Sequence, residues 1–163
     1  KLLKELNMHQ SWRELYGKKS KTLKDQELVL RFFALLRDAI GYKRPMKEFL
    51  NKFMAKNKDI NDTNKSQFVN IFSDTCNLIS AAIGRKAFRI KKSLNAAVLD
   101  SVMVGVARRL EAKRPAPRQD KLKEAYEKLL QDPKFMSLVE RSTADEEYVK
   151  SRLDKATSAF SGT

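Results

Sequence analysis

Apolar residues recur every three or four positions along almost the whole chain, and no long stretch alternates apolar with polar residues. That period sets one face of a helix against a core and predicts an all-α fold. Between Asp25 and Ile40, the residues Leu28, Val29, Phe32, Phe33, Leu35, Leu36 and Ile40 crowd more than one stripe. This segment is therefore expected to be a central core helix. Asp25 and Glu27 fall in its first turn, where the helix dipole favours anions, and Gly41 supplies a stop.

The same reading runs on through the chain. Pro45 suits the first turn of a helix whose Met46, Phe49, Leu50, Phe53 and Met54 face inward and whose Lys47, Lys52 and Lys56 face water. Residues 59–66 are a polar connection. A longer helix follows through Phe68, Ile71, Phe72, Thr75, Cys76, Ile79, Ala82 and Ile83 to Gly84. Residues 85–93 are short and basic and are expected to be irregular. Asn95 can cap a helix running to about Ala112. Gly105 inside that helix costs about 1 kcal/mol relative to Ala, which points to close helix packing there. Two prolines make Lys113-Arg-Pro-Ala-Pro-Arg118 the clearest linker and the one place where the domain could subdivide. A helix with Leu122, Tyr126, Leu129 and Leu130 follows, and Asp132-Pro133 starts a short one. Thr143-Ala-Asp-Glu146 has capping-box spacing before a last helix with Val149, Leu153, Ala156 and Phe160 on one face. Counting residues 1–16 as one helix broken at Asn7, eight helices form a single irregular bundle without internal repeats.

Composition agrees with a folded domain and narrows the chemistry. The 163 residues suit one domain, and 42% hydrophobic residues are too many for a disordered chain of this charge. One Cys and one His exclude disulfide scaffolds, zinc fingers and any site needing two imidazoles. Cys76 lies on an apolar helical face and reads as a small buried hydrophobe. His9 has few acids around it and reads as non-catalytic. Asp145, Glu146 and Glu147 are explained by the helix start that they crowd. Glycines at 17, 41, 84, 105 and 162 never cluster into a phosphate loop. No cofactor and no catalytic residue are expected of this chain. No run of about 18 apolar residues exists for a membrane span. Lys1-Leu2-Leu3-Lys4-Glu5-Leu6 has no signal-peptide layout and reads as the middle of a helix, so a longer cytoplasmic protein is expected.

Charge changes the picture most. Lys and Arg number 34 against 20 Asp and Glu, a net of +14. Residues 1–58 hold 15 cations and 6 anions, and residues 84–123 hold 12 and 3, so each segment carries +9. Residues 59–83 and 124–163 each carry −2. Basic segments that met in space would make one surface suited to phosphate contacts. Arg85, Lys86, Arg89, Lys91 and Lys92 form the densest cluster, with Phe88 interleaved either as a stacking platform or, the favoured reading, as a core anchor. Arg108, Arg109, Lys113, Arg114 and Arg118 form a second cluster at a helix C-terminus, where the dipole alone accounts for part of it.

Several segments in order resemble a known family. They are Leu6-Asn7 with Trp12 and Leu15; Asp25-Gln-Glu-Leu-Val-Leu-Arg-Phe-Phe-Ala-Leu35; Tyr42 with Met46-Lys-Glu-Phe-Leu-Asn51; Ile83-Gly-Arg-Lys-Ala-Phe-Arg89; Asn95 to Val104; and Thr143 before a Val149/Arg152/Phe160 helix. This set is similar to the helical C-terminal half of GmrSD-type restriction and phage-defence proteins, whose first half is a ParB-like domain. The resemblance implies a ParB-like partner domain and contact with DNA. The family's nucleotide-hydrolysing Asp-Gly-Gln-Gln-Arg motif has no match here, and a single His cannot supply an HNH nuclease. Arg31, inside the Leu-Arg-Phe segment, needs an acidic partner, either Asp100 or the absent half. The expectation is a non-catalytic helical domain that supports a ParB-like half and touches DNA through its basic segments. The rival is a structural or homo-oligomerising module with incidental charge.

Overall fold

A computed structural model describes residues 1–112 and 114–163 and shows an all-α domain. Among the described residues nine α-helices occur: α1 Leu2–Leu6, α2 Gln10–Tyr16, α3 Lys24–Asp38, α4 Met46–Lys56, α5 Asp62–Ala82, α6 Ala96–Glu111, α7 Gln119–Gln131, α8 Pro133–Glu140 and α9 Glu146–Phe160. No helix among them is long and apolar enough to cross a membrane. A 3-10 turn, Arg85–Phe88, and a hairpin of β1 Arg89–Ile90 and β2 Ser93–Leu94 interrupt them between α5 and α6.

α6 is the central post, because its residues from Ala97 to Ala107 are all buried. Its sides are covered by α3, α5 and α9. The Asn95 side chain caps it, accepting from Val98 N–H at 3.0 Å, and Arg108 and Arg109 close its last turn. Gly105 sits where α9 crosses. A Cβ there would lie 2.9 Å from Phe160 Cδ2 and 3.0 Å from the Ala156 backbone. The helix accepts a poor helix former because the packing leaves no room for a methyl.

The buried polar groups join elements rather than decorate them. Asp100, on α6, is fully buried and receives Arg31 of α3 at 2.5 Å and Arg152 of α9 at 3.4 Å. Arg152 Nη1 also donates to the Thr143 carbonyl at 2.8 Å. Asn7 explains why residues 1–16 make two helices rather than one. Its side-chain oxygen accepts from Trp12 and Arg13, both at 2.9 Å, and its amide donates to Asp25 at 3.0 Å. Burial alone would raise the Asp25 pKa. Donors from Asn7, Ser20 N–H and Arg13 outweigh it and hold the carboxyl below its ordinary range.

Four local expectations are corrected. α5 begins at Asp62, inside the polar stretch, because the Asn61 side chain accepts from Asn64 N–H at 2.8 Å. Residues 85–93 are a 3-10 turn and a hairpin rather than irregular chain. Ile40 is outside the core, 102% exposed, because α3 stops at Asp38 and a 3-10 turn from Ala39 to Gly41 swings the side chain outward. Thr143 and Glu146 form no capping box, since α9 begins at Glu146 with Asp145 at its cap. The Glu146 carboxylate instead accepts from Lys43 Nζ at 3.0 Å and Arg44 N–H at 3.3 Å.

Two substitutions test this packing. Asp100→Ala leaves two buried guanidinium groups without their carboxylate and should cost about 3–5 kcal/mol in urea unfolding. Gly105→Ala gains about 1 kcal/mol of helix propensity but forces α9 aside, for a net loss of about 1–2 kcal/mol in the same assay.

Candidate nucleic-acid interface

The hairpin is fixed before any partner arrives. Gly84 has φ +78°, a conformation that suits a residue without Cβ, and turns the chain out of α5. Ala87 and Phe88 then drop into the core, Phe88 fully buried with its ring 6.4 Å from that of Trp12. Phe88 is thus an anchor, not a stacking platform. Asn95 N–H donates to the Phe88 carbonyl at 2.8 Å, tying the hairpin to the start of α6. Tyr126 of α7 donates to the Lys86 carbonyl at 3.1 Å.

Arg89 belongs to this anchoring. Its guanidinium donates to the Leu15 and Tyr16 carbonyls, both at 2.8 Å, and to the Arg85 carbonyl. It satisfies orphan carbonyls at the C-terminus of α2, where a cation also suits the dipole. Burial, then the neighbouring Arg85 charge, pulls the Arg89 pKa below its ordinary value.

Around that anchor the cations point outward. Register pairs Arg89 with Leu94 and Ile90 with Ser93, so Lys91 and Lys92 form the two-residue tip. Lys91 has φ +58°, a turn conformation that glycine or asparagine holds at lower cost. Arg85 lies over Gly17: a Cβ at Gly17 would sit 3.2 Å from the Arg85 Nη2. Lys18 and Lys19 follow Gly17 immediately and are exposed. The two +9 segments therefore meet here, which no reading along one segment could find. Among the described residues, no carboxylate lies within 4 Å of the charged groups of Lys18, Lys19, Arg85, Lys91 or Lys92. Lys86 is exposed and stands 3.9 Å from Glu127.

The second cluster makes bonds within the domain. Arg109 is 7% exposed and donates to the Thr163 carbonyl at 2.9 Å and the Pro115 carbonyl at 2.8 Å. Arg108 donates to Thr157 Oγ1 at 2.9 Å, and Arg114 to the Ser161 carbonyl at 3.2 Å. Arg118 pairs with Asp120 at 2.7 Å. The bonds from Arg108, Arg109 and Arg114 to Thr157, Thr163 and Ser161 fasten the end of α9 to the end of α6 and the connection after it, whereas the Arg118–Asp120 pair is local to the start of α7. Lys113 lies outside the described residues. The clusters also stand apart, because the 16 residues of α6 between them span about 24 Å.

Cys76 is fully buried and burial pushes its thiol pKa well up, which removes the thiolate a nucleophile needs. His9 stacks edge-on to Phe72 at 6.2 Å. Among the described residues, no group of three or more His, Cys, Asp or Glu side chains could hold a metal ion. The fold and this surface define a helical domain with a cationic hairpin anchored at its base. A scan of family profiles and searches of curated proteins and of solved structures found no match to the chain.

Arg89→Lys keeps the charge but loses the fork that spans several carbonyls. It should destabilise the domain by about 1–2 kcal/mol in thermal unfolding, with amide exchange of residues 85–94 accelerating more than that of α6.

Proposed function

We propose that this domain is a non-catalytic DNA-contacting module, with Lys18, Lys19, Arg85, Lys86, Lys91 and Lys92 as its phosphate-binding surface. The observation that carries the proposal is the meeting of two basic segments on one buried anchor, where every cation of the surface except Lys86 has no carboxylate within 4 Å among the described residues. Such a surface binds without refolding its backbone, so the phosphate attraction is not spent on ordering the loop. Supporting a ParB-like half is the second part of the proposal. It rests on the ordered resemblance to GmrSD-type proteins, and two of the resembling segments are joined here by the Arg31–Asp100 pair.

The test is anisotropy of a short labelled duplex between about 50 and about 200 mM salt. Binding should weaken linearly on logarithmic axes. Arg85→Ala/Lys91→Ala/Lys92→Ala should reduce the slope by about 3, whereas Arg114→Ala/Arg118→Ala should leave it unchanged. Arg89 is left intact because its loss would disturb the hairpin itself. No binding at low salt, or equal binding by the triple variant, defeats the proposal and favours a structural module with incidental charge.

A further inference from the structure

A second surface, separate from the hairpin, has a different chemistry. α1, α3, α4 and α5 enclose an open groove of about 430 Å³. Its floor is apolar, built from Leu3, Leu30, Phe33, Phe53 and Phe68. Met54 stands in it 43% exposed, although the helical pattern of α4 assigns this residue to the core. The reason is that α4 rests chiefly on α3, so its outer apolar edge has no neighbour. The groove continues into an adjoining one that shares Leu3, Leu30 and Met54 and adds Met46 and the 59% exposed Leu23.

The rim is basic. Lys1, Lys4, Lys58 and Lys65 line the first groove, and no carboxylate does. Among the described residues, Lys65 alone of the four has a carboxylate within 4 Å, Glu5 at 3.5 Å. A bare polyanion would meet the lysines but leave the aromatic floor in water. A small apolar ligand would fill the floor but leave the ammonium groups of Lys1, Lys4 and Lys58 unanswered. A partner matching both carries an apolar stripe edged by carboxylates. The continuity of the two grooves suits an elongated occupant.

We infer that this groove docks an acidic amphipathic helix of a partner protein. Apolar residues at helical spacing enter the floor beside Met54, while flanking Glu or Asp side chains meet the lysine rim. The floor supplies affinity through apolar burial, and the rim sets sign preference and speeds encounter.

The test uses a labelled model helix with Leu at i, i+3, i+4 and i+7 and Glu at the flanking positions, and a second probe with Lys replacing each Glu. Anisotropy should saturate with the acidic probe, and the basic probe should bind at least about tenfold more weakly. Met54→Asp should weaken the acidic probe about tenfold or more while the far-UV circular dichroism stays unchanged. Lys4→Glu/Lys58→Glu changes only exposed side chains and should reverse the preference between probes, so the inference stays testable if Met54→Asp impairs folding. No saturable binding, equal binding of both probes, or binding indifferent to the variants overturns it. Self-association abolished by Met54→Asp in sedimentation also overturns it, assigning the groove to a second copy.

Discussion

One buried carboxylate organises this domain. Asp100 lies on the helix that α3, α5 and α9 pack against, and it serves one arginine from α3 and one from α9. Burial disfavours both guanidinium cations. Asp100, 2.5 Å from Arg31, outweighs that and holds the Arg31 pKa above its ordinary value. For Arg152, which stands farther from Asp100, burial wins, helped by the like charge of Arg31, and its pKa falls. Its Nε finds no hydrogen-bond partner among the described residues. An arrangement with more buried cation than anion stabilises poorly compared with an apolar core. What it supplies is position. α3, α6 and α9 must meet at one register for the carboxylate to reach both arginines, and sliding any of them leaves a charge unpaired in the interior.

The hairpin inherits its rigidity from that frame. α6 is held in register by Asp100 and begins at the Asn95 cap, and Asn95 N–H bonds the Phe88 carbonyl. Phe88 fills the core beside Trp12, whose indole N–H is fixed by Asn7. Each link is buried or part-buried. The exposed lysines at residues 91 and 92 are therefore two strand residues from a close-packed interior. This is how a segment with a positive-φ lysine at its tip can keep one shape.

Much of this was legible in the sequence where one residue has one possible duty. Asn95 before an apolar run was suited to cap, and it does. Gly105 inside a helix pointed to a close approach, and α9 crosses there. Arg31 among hydrophobes needed an acid, and Asp100 supplies it. The misses arise where duties compete. Glu146 has capping-box spacing, yet Lys43 and Arg44, distant in sequence, take its carboxylate. Two-residue strands are too short for alternation to register, so the hairpin read as irregular chain. The Lys18–Lys19 contribution was invisible because nothing local says that Gly17 will lie beneath Arg85. Met54 fits its helical stripe, and only the absence of a covering element exposes it.

The net charge is where sequence and structure differ most usefully. A total of +14 says nothing about which cations are available. Side-chain chemistry sorts them. Arg89, Arg109 and Arg152 each have a planar fork of donors that can saturate several carbonyls at once, and they end in the structure's joints. Lysine offers a compact, strongly hydrated ammonium that loses more on burial, and Lys18, Lys19, Lys91 and Lys92 end at the surface. The division is physical and could be applied to the bare sequence. In a basic helical domain, arginines near helix termini belong first to the carbonyls that those termini leave unpaired. Lysines at turns are the better first estimate of what a partner meets. Applied here, that rule removes Arg89 and Arg109 from the predicted interface and keeps Lys91 and Lys92. It leaves Arg85 as the exception, an exposed arginine that lies over Gly17 rather than on a carbonyl or a carboxylate.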